Sequence, residues 1–170
     1  MSGTRENKLR DNLLPSDIRR RIKMYFVRDI LINKGNNVWS VTPDTTMCDA
    51  LKLMAEKNCV AVVVLENNKV IGIFSERDLA RKLILRNECS LSTIVRDLMT
   101  SPVVTVTKDK RMRDCMDLMS DKHIRHLPVV ENERLIGLIS IGDVVKAQIL
   151  NREETIHKLQ NYIEGIDYGL

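Results

Sequence analysis

The sequence predicts an α+β protein, α/β-like in its ordering, built from two copies of one β-α-β-β-α unit. Three observations predict it. The chain repeats itself, each copy carries a helical apolar stripe, and each copy then carries two short apolar runs separated by turn residues. Val27-Arg28-Asp29-Ile30 returns as Val95-Arg96-Asp97-Leu98, 68 places later. From Val41 onward the offset is 65 and holds without a gap, and 15 of the 38 positions from 41 to 78 are identical to their partners. Self-similarity at a fixed period is the signature of a repeated supersecondary unit. The change from 68 to 65 places a three-residue length difference after the first short element.

Each element follows in order. Val38–Val41 and Val103–Val106 read as extended. A turn at Pro43-Asp44 or Lys108-Asp109 leads into helices over 45–57 and 110–122. Met47, Ala50, Leu51 and Met54 fall at i, i+3, i+4 and i+7, the spacing of one helix face. Val60–Leu65 is a continuous apolar, β-branched run, which turns at Glu66-Asn67-Asn68-Lys69 into Val70–Phe74. The second copy is Leu127–Val130, a turn at Glu131-Asn132-Glu133, and Leu135–Ile139. Runs this apolar suggest strands covered by helices. A second helix starts at Ser75 or Ser140. Asn151–Ile163 reads as a C-terminal helix with Ile156, Leu159 and Ile163 on one face and Gly165 as its cap. The organisation is a basic extension over 1–26, a first repeat over 27–86, a linker over 87–94, a second repeat over 95–149, and a C-terminal helix and tail over 150–170.

Composition narrows the function. Of 170 residues 44% are hydrophobic and 4% aromatic, so the core is aliphatic. The net charge of +4 suggests nucleic acid or an acidic membrane surface. Its distribution argues against that. Residues 1–26 hold seven Lys/Arg and three acids, whereas the other 144 residues hold twenty of each. Cys48, Cys59, Cys89 and Cys115 form no C-x-x-C pair and read as buried reduced thiols. No apolar run approaches the roughly 18 residues of a membrane span, and no secretory signal is visible. The expected compartment is the cytoplasm, with organellar import as the alternative.

Gly72-Ile73-Phe74-Ser75-Glu76-Arg77-Asp78 and Gly137-Leu138-Ile139-Ser140-Ile141-Gly142-Asp143 both match G-h-h-S/T-x-x-D. Ile124-Arg125-His126-Leu127-Pro128-Val129 precedes the second. With Leu159-Gln160-Asn161-Tyr162-Ile163-Glu164-Gly165, these segments make residues 27–149 resemble a tandem pair of cystathionine-β-synthase (CBS) domains, a Bateman module, of the small stand-alone kind. The resemblance implies two repeats packed around a pseudo-twofold axis with two clefts between them. It implies adenosyl ligands in those clefts, AMP, ADP, ATP, NAD(H) or S-adenosylmethionine, as regulatory ligands. It further implies a homodimer of such pairs and a regulated partner protein, a thiol-redox enzyme or an enzyme of nucleotide metabolism.

The residues give that expectation a chemistry. Glycine near a strand end lets a ligand approach the backbone. Ser75 and Ser140 stand at helix starts, where unsatisfied N–H groups favour an anion. Asp78 and Asp143, one turn on, suit the two hydroxyls of a ribose. Ser three residues before Asp also reads as a helix cap, and the two roles coexist. Arg125 and His126 suit a phosphate. Their first-repeat counterparts are Val60 and Ala61, so the clefts are expected to differ, with one fit for phosphate and the other for a less charged ligand or none. Arg77 is a candidate compensating cation in the first repeat. On this reading Asp143→Ala weakens ribose ligands more than Asp78→Ala. The resemblance implies that Trp39 lies in the segment flanking the adenine, where it would stack on a base or anchor an interface, and Thr100 and Val104 belong to the corresponding second-repeat segment.

His123-x-x-His126 lacks the partners of a metal site, and no phosphate-loop, dinucleotide or nucleophile-elbow motif occurs. No metal and no catalysis are therefore expected. The competing readings are a nucleic-acid-associated protein using Arg19-Arg20-Arg21 in a basic helix, and a purely structural oligomerisation module. No membrane partner is expected.

Overall fold

The computed structural model describes residues 25–86 and 90–163. The basic extension through position 24, Cys89 in the linker, and the tail with Gly165 lie outside the described residues, as do the side chains of Leu159 and Ile163. In chain order the elements are α1 (Val27–Lys34), β1 (Ser40–Val41), α2 (Met47–Glu56), β2 (Ala61–Glu66), β3 (Lys69–Ser75), α3 (Glu76–Arg86), α4 (Val95–Leu98), α5 (Met112–Asp121), β4 (His126–Glu131), β5 (Arg134–Ser140) and α6 (Ile141–Ile163). The two-unit architecture expected from the repeat is what forms.

Five strands lie in the order β1-β2-β3-β5-β4. β2/β3 and β4/β5 are antiparallel hairpins, and they meet only at their tips, through Lys69 and Arg134. The Lys69 ammonium lies 2.7 Å from the Glu133 carboxylate at this junction. Both hairpin turns carry positive φ at two successive residues, Asn67-Asn68 and Asn132-Glu133. That backbone matches the right-handed twist of paired strands, which explains the Asn-rich turns. The copies agree in finer detail. Each has a bulge at the same place, after Val64 and after Val129. Each leaves its first helix through a residue with positive φ, Asn58 or His123.

Several expected boundaries move for local reasons. Thr46 Oγ1 accepts the Asp49 amide at 3.1 Å, so Thr46 is a cap and α2 begins at Met47, not at 45. Of Val103–Val106 only Val106 pairs, in a parallel bridge to Val129. The second helix of the second repeat and the C-terminal helix are one element, because nothing between Ile141 and Ile163 breaks the helix.

The segment leading into each repeat packs on the other repeat. Val27, Ile30 and Leu31 of α1 sit in a cluster with Met112, Cys115, Leu127 and Ile139 of the second repeat. Val95 and Leu98 of α4 sit with Met47, Met54, Val62 and Phe74 of the first. Backbone bonds repeat the exchange. The Val27 and Arg28 amides donate to Lys110 and Lys108 carbonyls, while the Val95 and Arg96 amides donate to Thr45 and Pro43 carbonyls. Each buried aliphatic side chain contributes about 1.5–3 kcal/mol, so neither repeat has a full core without its neighbour's leader.

The two glycines of the G-h-h-S-x-x-D segments serve this exchange and do not make room for a ligand. A Cβ on Gly72 would lie 2.5 Å from Met99 Sδ, and one on Gly137 would lie 2.5 Å from Leu31 Cδ2. Cys115 is fully buried, and burial pushes its thiol up to about 11. Cys48 and Cys59 are half-buried free thiols.

Candidate functional site

A cavity of about 440 Å³ opens between the repeats. One wall is the end of β3 and the start of α3, with Ser75, Arg77 and Asp78. A second is the extended segment after α4, with Thr100 and Val104. The third is the entry to β4, with Arg125 and His126, and the Ser140 to Gly142 corner. Eight of the ten expected site residues therefore line one space. Asp143 and Trp39 do not line it.

Asp78 is held in place from two sides. Ser75 Oγ donates to Asp78 Oδ2 at 2.9 Å and accepts the Asp78 amide at 3.2 Å. Thr100 Oγ1 donates to the same oxygen at 3.4 Å, and the Thr100 backbone is fixed by paired bonds to Ile73. Ser75 is 5% exposed and acts as a cap. Asp78 Oδ1 has no hydrogen-bond partner among the described residues, so the carboxylate has an acceptor left for a ligand.

The helix start offers an anion less than expected. The Glu76 amide donates to the Val60 carbonyl at 3.2 Å and the Asp78 amide to Ser75, so two of the first three N–H groups of α3 are occupied. Positive charge comes from side chains. Arg77 and Arg125 form no ion pair among the described residues. Burial lowers the Arg77 guanidinium below its ordinary pKa, and its neighbours Arg125 and Arg81 lower it further, against Asp78, which raises it. Like charges gathered this closely favour an incoming anion. His126 is lowered first by burial and then by Lys34 and Arg125, which together outweigh Asp78 and Asp143.

In the second repeat, the Ser140 amide and Oγ both donate to Asp143 Oδ2 at 2.8 Å, and the Lys34 ammonium lies 2.7 Å from the same oxygen. Burial raises the Asp143 carboxyl, but the Lys34 and Ser140 hydrogen bonds more than offset it and leave the group below its ordinary value. Asp143 is thus held by Lys34 and Ser140, and His126 lies within electrostatic reach of both Asp143 and Asp78. Arg125 and His126 of the second repeat share the cavity with Asp78 and Arg77 of the first. Trp39 is half-exposed, with the Lys57 ammonium 4.6 Å over its ring.

Val60, His123, Ile124 and Ile141 also line the cavity and were not expected. The signal for them was the alignment itself, since Val60 is the counterpart of Arg125. No group of three or more His, Cys, Asp or Glu that could hold a metal lies among the described residues.

A family model described as CBS domain matches residues 27–85 and 95–150. The chain belongs to the CBS-domain family. It is 38% identical over 149 residues to the mitochondrial CBS domain-containing protein CBSX3 of Arabidopsis thaliana, spanning 82% of this chain and 72% of that one. The crystal structure of a CBS-domain containing protein from Agrobacterium tumefaciens superposes with a TM-score of 0.69 at 40% identity, over 73% of this chain and 99% of that one. The crystal structure of CBSX2 in complex with AMP superposes with a TM-score of 0.60 at 30% identity, over 75% and 98%. The two CBS repeats here are those of the α+β fold described above. No helix among the described residues is long and apolar enough to cross a membrane.

Proposed function

We propose that this CBS pair is a non-catalytic sensor that binds an adenosine nucleotide in the cavity between its repeats and passes its ligand state to a partner protein. The observation that carries this is the meeting, in one cavity, of a fixed carboxylate with an open acceptor and two guanidinium groups that form no salt bridge among the described residues. On this reading Asp78 takes the ribose hydroxyls, with Ser75 and Thr100 holding it. Arg77, Arg125 and His126 take the phosphate. Val60, Ile73, Val104 and Ile124 supply apolar surface for the base. The AMP held by CBSX2 supports the ligand class. Ligand binding acts as a signal only if it distinguishes two states of the protein. The cavity is shared by both repeats, so their relative position is the quantity a ligand would set.

Exposed apolar residues Val145, Ile149 and Ile156 recur on one face of α6, and Met116 is exposed on α5. We read this face as the contact of a homodimer. The regulated partner belongs to the classes the family resemblance implies, a thiol-redox or nucleotide-metabolism enzyme. The location is the cytoplasm or an organelle, and the mitochondrial relative favours the second.

The test is a thermal-shift panel of AMP, ADP, ATP, NADH and S-adenosylmethionine. A ligand at about 100 times its Kd stabilises by about 2.7 kcal/mol, which at about 2–4 °C per kcal/mol is a shift of roughly 5–10 °C. If none of these at millimolar concentration moves the melting curve, the reading is wrong.

A further inference from the structure

The two Ser-x-x-Asp corners are not equivalent, and the difference lies in the leader each one faces. At the first corner α4 ends at Leu98 and Met99 seats over Gly72. The chain then runs extended, so Thr100 bridges Ile73 and its hydroxyl reaches Asp78. At the second corner Leu31 takes the equivalent seat over Gly137, but α1 continues for another turn, to Lys34. This is where the length difference between the repeats falls. The extra turn delivers the Lys34 ammonium to 2.7 Å from Asp143 Oδ2 and 3.3 Å from the Leu138 carbonyl. With the two bonds from Ser140, one carboxylate oxygen receives three donors. Among the described residues no lysine or arginine bonds to Asp78 in this way. The positions aligned with Arg125 and Arg77 are Val60 and Gly142, so the second corner is the poorer place for a phosphate.

We propose that Lys34 is a built-in cation that closes the Asp143 cleft, so that each chain offers one open ligand site, the Asp78 cavity. Without the ammonium, the Asp143 corner would admit only a ligand whose hydroxyls reach the carboxylate and which brings no phosphate, a free nucleoside. The identity of the ligand rests on the adenosine reading above, whereas the closure rests on the geometry of Lys34 alone.

Lys34→Met keeps most of the stem and removes the charge, and two measurements on the full chain decide the matter. The first is carboxyl NMR of Asp143. It should titrate below the ordinary Asp range in the wild-type protein and move up in Lys34→Met. The second is isothermal titration with adenosine and with AMP. The wild-type chain should bind one equivalent of either. Lys34→Met should bind a second equivalent of adenosine but not of AMP, and Lys34→Arg should behave as wild type. A wild-type chain that binds two equivalents, a Lys34→Met chain that stays at one, or an Asp143 carboxyl that ignores the substitution overturns the proposal. If neither protein binds either compound, the adenosine reading and the nucleoside part fall together, and the carboxyl titration alone upholds or overturns the closure.

Discussion

Replacing Gly137 with Ala tests whether the repeats are held together by exchanged leaders. Gly137 lies in β5 opposite Val129 and its φ is not positive, so alanine meets no backbone strain there. In an ordinary strand the change would be neutral or stabilise by about 0.5–1 kcal/mol. Here the new methyl would lie 2.5 Å from Leu31 Cδ2, 3.0 Å from Cδ1 and 3.4 Å from Cγ. Leu31 is 7% exposed, so it has little room to retreat. Overpacking of this kind costs about 1–3 kcal/mol, or roughly 2–12 °C in Tm for a chain of this size. Leu31→Ala alone leaves a hole and costs about 2–5 kcal/mol. In the double variant the alanine methyl occupies space that Leu31 has vacated. The combined cost should therefore fall short of the sum by at least about 1 kcal/mol, within the range for contacting residues. Urea unfolding of the four proteins measures this. A Gly137→Ala protein at least as stable as wild type, or a double variant additive within about 0.5 kcal/mol, refutes the reasoning. Gly72→Ala should cost less than Gly137→Ala, because the obstructing atom there is a flexible thioether.

Arg125→Ala should weaken AMP by about 10–150-fold, the worth of a charge-assisted hydrogen bond of about 1.5–3 kcal/mol, and leave adenosine within about threefold of wild type by titration calorimetry. Asp78→Ala should weaken both ligands, and Asp143→Ala should weaken neither by as much. His126 has a folded pKa below its unfolded value, so the unfolded chain binds the proton more readily. Its contribution to stability is present above the unfolded pKa, about 6.5, and is lost as pH falls through the folded value. The fall in Tm between pH 7.5 and about 5.5 should accordingly be smaller in His126→Gln than in wild type, and an equal fall removes His126 as its source. Ile149→Glu should shift the light-scattering mass to that of one chain if α6 carries a dimer contact, and an unchanged mass argues against that face.

Much of the fold was legible because its signals are local. A gapless register, Asn-rich turns and apolar runs specify each unit wherever its partner sits. The site was legible as a set of residues and not as an assembly. The offset of 65 says that Ser75-Asp78 resembles Ser140-Asp143, but not which of them faces Arg125 across the interface. That depends on how the leaders cross, and the crossing is written in Met99 against Gly72 and Leu31 against Gly137, contacts distant in sequence. Lys34 was invisible for the same reason. It reads as an ordinary basic residue at a helix end, and only the extra turn of α1, packed on the opposite repeat, brings it to Asp143. Ser75 shows the opposite case, since its capping role could be read from the residue three places on.

The crystal structure of the chain grown with AMP tests the central claim most directly. The account predicts one AMP per chain in the cavity between the repeats, its ribose hydroxyls on Asp78 and its phosphate beside Arg77 and Arg125, with the Lys34–Asp143 pair intact. An AMP bound at Asp143 with Lys34 displaced, or a cavity left empty at saturating AMP, would contradict it.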